Sequence, residues 1–174
     1  KSHTELLQIN KMADLDRGAK VSGFRGYFLT GDGVTLSMAL WRFALDRLRE
    51  KGFTPIMTPA LVRKEAFMGT GYLPQAEEDL YKTQDDLYLS GTAEVPTMGL
   101  YMNEVLDKSV LPIKFAAFSP CFRREIGAHV KDTKGLIRMH EFFKVEQVVL
   151  GEASHEESVR LHEELTANAE ELVQ

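Results

Sequence analysis

The sequence predicts an α+β domain whose sheet is largely antiparallel and flanked by helices. Three observations carry that expectation. Residues 113–125 and 137–150 alternate along the chain with period two and read as two strands joined by a glycine-bounded loop, Gly127 to Gly135. Strands cluster in sequence with helices between and after them, which fits segregated layers rather than regular βαβ alternation. The GxGxxG turn that opens a doubly wound sheet is missing.

The elements follow in order. Leu6, Leu7, Ile9, Met12 and Leu15 form a helical pattern within residues 1–20 that ends near Gly18. Tyr27, Phe28 and Leu29 make a brief apolar strand, and Gly31-Asp32-Gly33 is a turn too short to cradle a phosphate. A strong helix spans 35–51, with Thr35 as its cap and Gly52 at its stop. Its apolar residues cover more than one face, as expected of a helix buried against both the core and a partner subunit. Pro55 and Pro59 make 53–57 an edge strand. A short helix at 61–68 precedes strands at 80–83 and 87–90, with a solvated acidic loop of Glu77, Glu78, Asp79, Asp85 and Asp86 around them. Thr92 is placed to cap a helix running to about Leu106, with Pro96 in its first turn. After the hairpin, Ser154-His155-Glu156-Glu157 is a capping box. Leu161, Leu165, Ala169 and Leu172 mark the buried stripe of the final helix.

The 174 residues make one domain, 44% apolar and 27% charged, as in a soluble globular protein. No apolar run approaches the roughly 18 residues of a membrane span, and neither a signal peptide nor a membrane partner is expected. A single cysteine, Cys121, excludes an internal disulfide framework and a cysteine zinc cluster and suits a reducing, cytoplasmic setting. In an apolar strand it reads as an inert buried thiol. A net charge of −5 argues against gripping nucleic acid by bulk electrostatics. With Lys1 first and Gln174 inside a helix, the chain reads as a piece of a longer protein.

The chemistry concentrates at 122–146. By period two, Arg123 and Glu125 share a face on one strand; Arg138, His140, Phe142, Lys144 and Glu146 share a face on the other, opposite Met139, Phe143 and Val145. Arginines for phosphate and a ring for a base suit a nucleotide. The blander alternative is a half-exposed sheet in which Arg123 and Arg138 pair with Glu125 or Glu146 and Phe142 is a core ring. Thr92 and Glu94 read locally as a helix cap with a dipole-favoured acid; the functional alternative is a polar pocket for an ammonium or hydroxyl group. Glu146, beside Val145 and close to Val148 and Val149, needs a partner and is a site candidate by default. His155 and His162 lack metal-ligand spacing, and His140 reads as structural.

Phe122-Arg123-Arg124-Glu125, the loop, and Gly135-Leu136-Ile137-Arg138-Met139-His140-Glu141-Phe142-Phe143-Lys144-Val145-Glu146 resemble motif 2 of the class II aminoacyl-tRNA synthetases, in the form carried by the seryl-tRNA synthetases. Ser90-Gly91-Thr92-Ala93-Glu94 is similar to that family's serine-binding segment. Lys51-Gly52-Phe53, Ile56 and Pro59-Ala60-Leu61 resemble motif 1, and Gly69-Thr70-Gly71-Tyr72-Leu73-Pro74 with Leu80-Tyr81 resembles the intervening segments. The resemblance implies a class II antiparallel sheet flanked by helices, a homodimer through motif 1, and two-step charging of tRNA(Ser) with serine by way of seryl-adenylate. By the same resemblance Arg123 binds and stabilises the α-phosphate, Glu125 fixes ATP, and Arg138 reaches the outer phosphates. Phe142 stacks on adenine, the Met139 backbone reads its edge, Thr92, Glu94 and Glu146 hold serine, and Mg²⁺ bridges the phosphates without a protein ligand here.

The chain departs from the family pattern in having no motif 3 and no N-terminal tRNA-binding coiled coil, so 1–174 reads as a partial catalytic domain. His129-Val130 and Lys134 also depart from the family's loop, which carries Lys131 as well; His129 reads either as a substrate contact or as an ordinary loop residue. Two alternatives stay open: a paralogue that loads an amino acid on a carrier protein, and a non-catalytic fragment or regulatory module.

Overall fold

The computed structural model describes residues 1–126 and 135–174; Gly127, His129, Lys131 and Lys134 lie outside the described residues. Ser2 and Glu5 form a capping box on α1 (His3–Ile9). The helical pattern expected over 1–20 is two helices, because the chain breaks at Lys11 (φ 53°) and extends as β1 (Ala13–Asp14). Asp14 then caps α2 (Leu15–Ser22) by accepting the Arg17 N–H. Gly18 does not end a helix. The Tyr27 backbone passes so close that a Cβ on Gly18 would stand 2.3 Å from the Tyr27 Cα. This contact brings β2 (Phe28–Leu29) back to pair with β1.

Helix α3 (Asp32–Glu50) starts ahead of Thr35, from Gly31, with no side-chain cap. Its end is a complete Schellman motif: Gly52 N–H donates to Arg49 O and Phe53 N–H to Leu48 O, both at 3.0 Å, with Gly52 at φ 84°. Phe53 and Leu48 are both buried there. The turn launches β3 (Thr54–Met57), which is an edge strand as expected.

Between β3 and the hairpin lies a small antiparallel sheet of order β4-β6-β5, with β4 (Leu61–Val62), β5 (Tyr81–Lys82) and β6 (Tyr88–Leu89). The helix expected at 61–68 is therefore β4 followed by α4 (Lys64–Gly69). Val62, Phe67, Leu73, Leu80, Tyr88 and Val95 close a core under this sheet. Helix α5 (Glu94–Met98) is much shorter than expected and tightens into a 3-10 turn, Gly99–Tyr101. Ala93, not Thr92, stands at its N-cap, because the Thr92 hydroxyl is engaged elsewhere.

The hairpin strands are β7 (Ile113–Phe122) and β8 (Glu141–Leu150), shorter than 113–125 and 137–150. They pair antiparallel, and β3 pairs parallel with β7, giving the order β3-β7-β8. Parallel pairing needs a long crossover, and residues 58–112, with the small sheet, supply it. Shared faces therefore hold for Phe142, Lys144 and Glu146. Glu125, at φ 55°, and Arg138 and His140, ahead of β8, lie outside the pleat.

One face of β7–β8 is covered by α3 and by α6 (His155–Val173). Trp41 meets Phe118 and Phe143, and Leu48, Phe53, Ala116, Val145 and Leu165 form a second core. Ser154 accepts the Glu157 N–H at the start of α6, as expected of its cap. Asn168 rather than Ala169 occupies the buried stripe, bonded to Gln147 at 2.8 Å. The other face of the hairpin meets α5 and carries the polar site. Among the described residues no helix is long and apolar enough to cross a membrane.

Candidate active site

The floor of the site is a row of small, buried side chains on β7: Ala117, Ser119 and Cys121. Their cross-strand partners are Glu146, Lys144 and Phe142, so each functional side chain on β8 stands over a small neighbour with room around its tip. Burial pushes the Cys121 thiol above its ordinary value, with the Ser119 hydroxyl 3.3 Å away opposing that shift. It is the inert thiol expected.

The segment carrying Thr92 is drawn to this hairpin by its backbone. Phe122 N–H donates to Ser90 O at 2.9 Å, and Ser90 N–H in turn donates to Ala60 O. The Ser90 hydroxyl donates to Thr92 O and holds the turn that presents Thr92. Thr92 Oγ1 then donates to Glu146 Oε2 at 2.5 Å, and the Glu94 N–H reaches the same oxygen at 3.3 Å. Lys144 completes the cluster, with Nζ 2.7 Å from Thr92 Oγ1 and 3.2 Å from Glu146 Oε2. This supplies the partners that a carboxylate in an apolar strand needs, and all three belong to a pocket rather than to open solvent: Thr92 is buried and the side chains of Lys144 and Glu146 are about three-quarters covered.

Arg123 lies at the end of the same face. Its Nε donates to Gly91 O at 3.1 Å, and its guanidinium sits 5.3 Å from the centre of the Phe142 ring. Gly91 permits this approach, since a Cβ there would stand 3.1 Å from Phe122 O and 3.3 Å from Arg123 Cγ. Among the described residues no carboxylate forms a salt bridge with Arg123, so the ion-pair alternative fails for it. A planar guanidinium held on a ring, with no carboxylate salt bridge among the described residues, is suited to an anion such as phosphate. The alternative does hold for Arg138, whose Nη1 lies 2.7 Å from Glu125 Oε2.

His140 is structural, as expected. Its carbonyl accepts the Arg123 N–H at 2.9 Å, and its Nδ1 lies 2.9 Å from Arg123 O, where only a protonated nitrogen can bond. The pair continues the hairpin one step past β7 and fixes the backbone of Arg123. Met139 is buried and lines an apolar cavity of about 410 Å³ with Trp41, Phe142 and Phe143. Arg124 turns away, donating to Glu78 O and Asp79 O, so the backbone of the acidic loop is tied to the hairpin while its acidic side chains stay exposed, as expected.

The model of the tRNA synthetase class II core domain (G, H, P, S and T) matches residues 77–174, more than half of the chain. The chain belongs to this family. It is 49% identical over its whole length to the serine–tRNA ligase of Nocardioides sp., of which it covers 41%. The seryl-tRNA synthetase of Pyrococcus horikoshii, solved with ATP, matches at a TM-score of 0.92 and 50% identity over 100% of this chain and 39% of that one. The cytoplasmic serine–tRNA ligase of Naegleria fowleri, solved with AMP, matches at 0.92 and 38% identity, over 97% and 39% of the two chains. The chain thus spans about two fifths of the length of these relatives.

In this class II core the expected site residues fall into two groups. Thr92, Glu94, Glu146, Arg123 and Phe142 converge on one face, while Glu125 and Arg138 pair at the hairpin's outer end. Two residues that bear on this face were not among the expected site residues. Lys144 had only its strand parity to mark it. Tyr72 had no local signal; burial raises its phenol, the Glu94 carboxylate adds to that shift, Arg123 opposes it, and Glu146 raises it further.

Proposed function

We propose that this chain carries the amino-acid activation site of a serine–tRNA ligase. The serine carboxylate attacks the α-phosphorus of ATP, seryl-adenylate forms and pyrophosphate leaves; the seryl group then passes to the terminal adenosine of tRNA(Ser) and AMP leaves. One observation carries the reading. A guanidinium laid on an aromatic ring, with no carboxylate partner among the described residues, shares a strand face with a hydroxyl–carboxylate–ammonium cluster. The first suits a nucleotide phosphate and base, the second a small amino acid. The serine–tRNA ligases among the relatives, and the ATP and AMP bound to two of them, support it.

In this reading Arg123 binds the α-phosphate and stabilises the charge that grows there as the carboxylate attacks. Phe142 stacks on adenine, the Met139 backbone reads the base edge, and Glu125 and Arg138 serve the remaining phosphates. Thr92, Glu94 and Glu146 hold serine by its ammonium and hydroxyl groups. Rate comes from position and electrostatics, with no covalent enzyme intermediate. Among the described residues no three His, Cys, Asp or Glu side chains could hold a metal together, so these residues do not fit a protein-built Mg²⁺ site. A Mg²⁺ ion would arrive with ATP and supply charge neutralisation at the phosphates, and a carboxylate to hold it belongs to the length beyond this match.

The exposed Leu36, Met38, Leu40 and Phe43 of α3 and Met57 of β3 form the homodimer contact in this reading. Motif 3 and the tRNA-gripping arm belong to the length that the relatives carry beyond this match, and the reaction belongs in the cytoplasm. The test is pyrophosphate exchange and tRNA charging by the full-length protein. Serine-dependent exchange and seryl-tRNA are expected, with alanine weaker by about 10⁴-fold because it leaves buried polar groups unpaired. Exchange with a different amino acid, or with serine but without tRNA charging, would overturn the reading.

A further inference from the structure

Lys144 stands where its chemistry decides the polarity of the pocket. An ammonium group has donors and no acceptor, so in the 2.7 Å contact with Thr92 Oγ1 the lysine must donate. The Thr92 hydroxyl has one proton and two lone pairs. Its proton goes to Glu146 Oε2, an acceptor, and one lone pair goes to Lys144. The other lone pair alone is left for a ligand. Lys144 spends a second contact on Glu146 Oε2 itself, 3.2 Å away. Thr92 is buried, which excludes rotation toward bulk water as an alternative for its proton.

We propose that Lys144 is a positioning residue that makes Thr92 an acceptor toward the substrate and so sets the orientation of the bound amino acid. A donor group, the substrate ammonium or hydroxyl, is accepted at Thr92 and Glu146. The substrate carboxylate, which has only acceptors, is turned away from Thr92 toward Arg123, where adenylation needs it. The Glu94 N–H adds a further fixed donor to Glu146 Oε2, so Lys144 and the backbone together hold that oxygen in place. This inference rests on the serine-activation reading above and adds a residue to it.

The test compares Lys144→Met, which keeps length and removes the charge and donors, with Lys144→Arg, which restores both. Serine-dependent pyrophosphate exchange by the full-length protein is read as separate KM values for serine and ATP. Losing a charge-assisted hydrogen bond predicts a serine KM raised about tenfold or more in Lys144→Met. The ATP KM stays within about twofold, the preference for serine over alanine shrinks, and Lys144→Arg recovers most of the loss. In a Thr92→Val background the lysine substitution should add little, because its route through the hydroxyl is already gone. Multiplying effects in that double variant would overturn the proposal. So would equal losses for serine and ATP that arginine does not relieve, the mark of a merely structural lysine. Wild-type exchange with serine alongside an unchanged serine KM in Lys144→Met overturns this inference alone. A wild type without serine-dependent exchange overturns the parent reading with it.

Discussion

Replacing Arg123 with alanine separates catalysis from folding more cleanly than any other change in this site. The side chain is exposed, and its contacts in the folded chain are one hydrogen bond to Gly91 O and the approach to the Phe142 ring. A net hydrogen bond is worth about 0.5–1.5 kcal/mol and an exposed cation–π contact about 0.5–1 kcal/mol. Arg123→Ala should therefore lower stability by roughly 1–2 kcal/mol, a Tm change of a few degrees. The backbone at this position is held independently by its pair with His140, so the hairpin end should survive. In the proposed reading the catalytic cost is larger. Losing one donor aimed at developing transition-state charge costs about 10²–10³-fold, equivalent to about 3–4 kcal/mol. Pyrophosphate exchange by the full-length protein should fall by at least that factor, while thermal unfolding shifts only slightly. Arg123→Lys keeps the charge but loses the fork and the stacking and should lie between. Near-normal exchange in Arg123→Ala would refute the assignment. A collapse of the fold would refute the claim that, among the described residues, Gly91 and Phe142 are its only substantial structural ties.

Further predictions concern the scaffold. Gly52→Ala forces an L side chain into φ 84° and should destabilise the chain by about 1 kcal/mol or more, read by urea denaturation; an unchanged midpoint would show that the Schellman turn is not held there. In the proposed homodimer, Leu40→Asp on the exposed face of α3 should shift the full-length protein from dimer to monomer in sedimentation, and a dimer that persists at all concentrations would exclude this face. Burial keeps the Cys121 thiol protonated in the folded chain above its ordinary value of 9.0, whereas the unfolded chain releases that proton. The resulting stability is complete below that pH and is lost as pH rises above it. Cys121→Ala should flatten the decline in denaturation midpoint between about pH 8 and 10. An identical pH profile would show that the thiol contributes nothing to it.

How much of this was legible in the chain depended on the range of the signal. Gly52 and Ser154 mark helix ends because a cap or a left-handed turn is settled by the residues on either side of it. The period of two over 113–122 and 141–150 reports the hairpin for the same reason, since alternate faces differ in burial. The same rule overran at both ends. Glu125 turns to φ 55°, and Arg138 pairs with it beyond the ladder. Thr92 illustrates a different limit. Its local sequence reads as a helix cap, but a hydroxyl with a carboxylate and an ammonium in reach is worth more there than a single backbone N–H.

By itself the sequence determined the α+β class, the principal helices and strands, and most of the polar residues of the site; through the resemblance of its motifs it also pointed to the class II family. Those follow from local propensity, periodicity and residue chemistry. Only the tertiary structure decided that β3 runs parallel to β7, that among the described residues Arg138 has a carboxylate partner while Arg123 has none, and that Lys144 belongs with Thr92 and Glu146. Thr92 and Glu146 are 54 residues apart and meet because Phe122 N–H bonds Ser90 O and the hairpin register sets Glu146 over Ala117. A contact of that kind is fixed by the pairing of distant backbones, and side-chain pattern along the chain carries no trace of it.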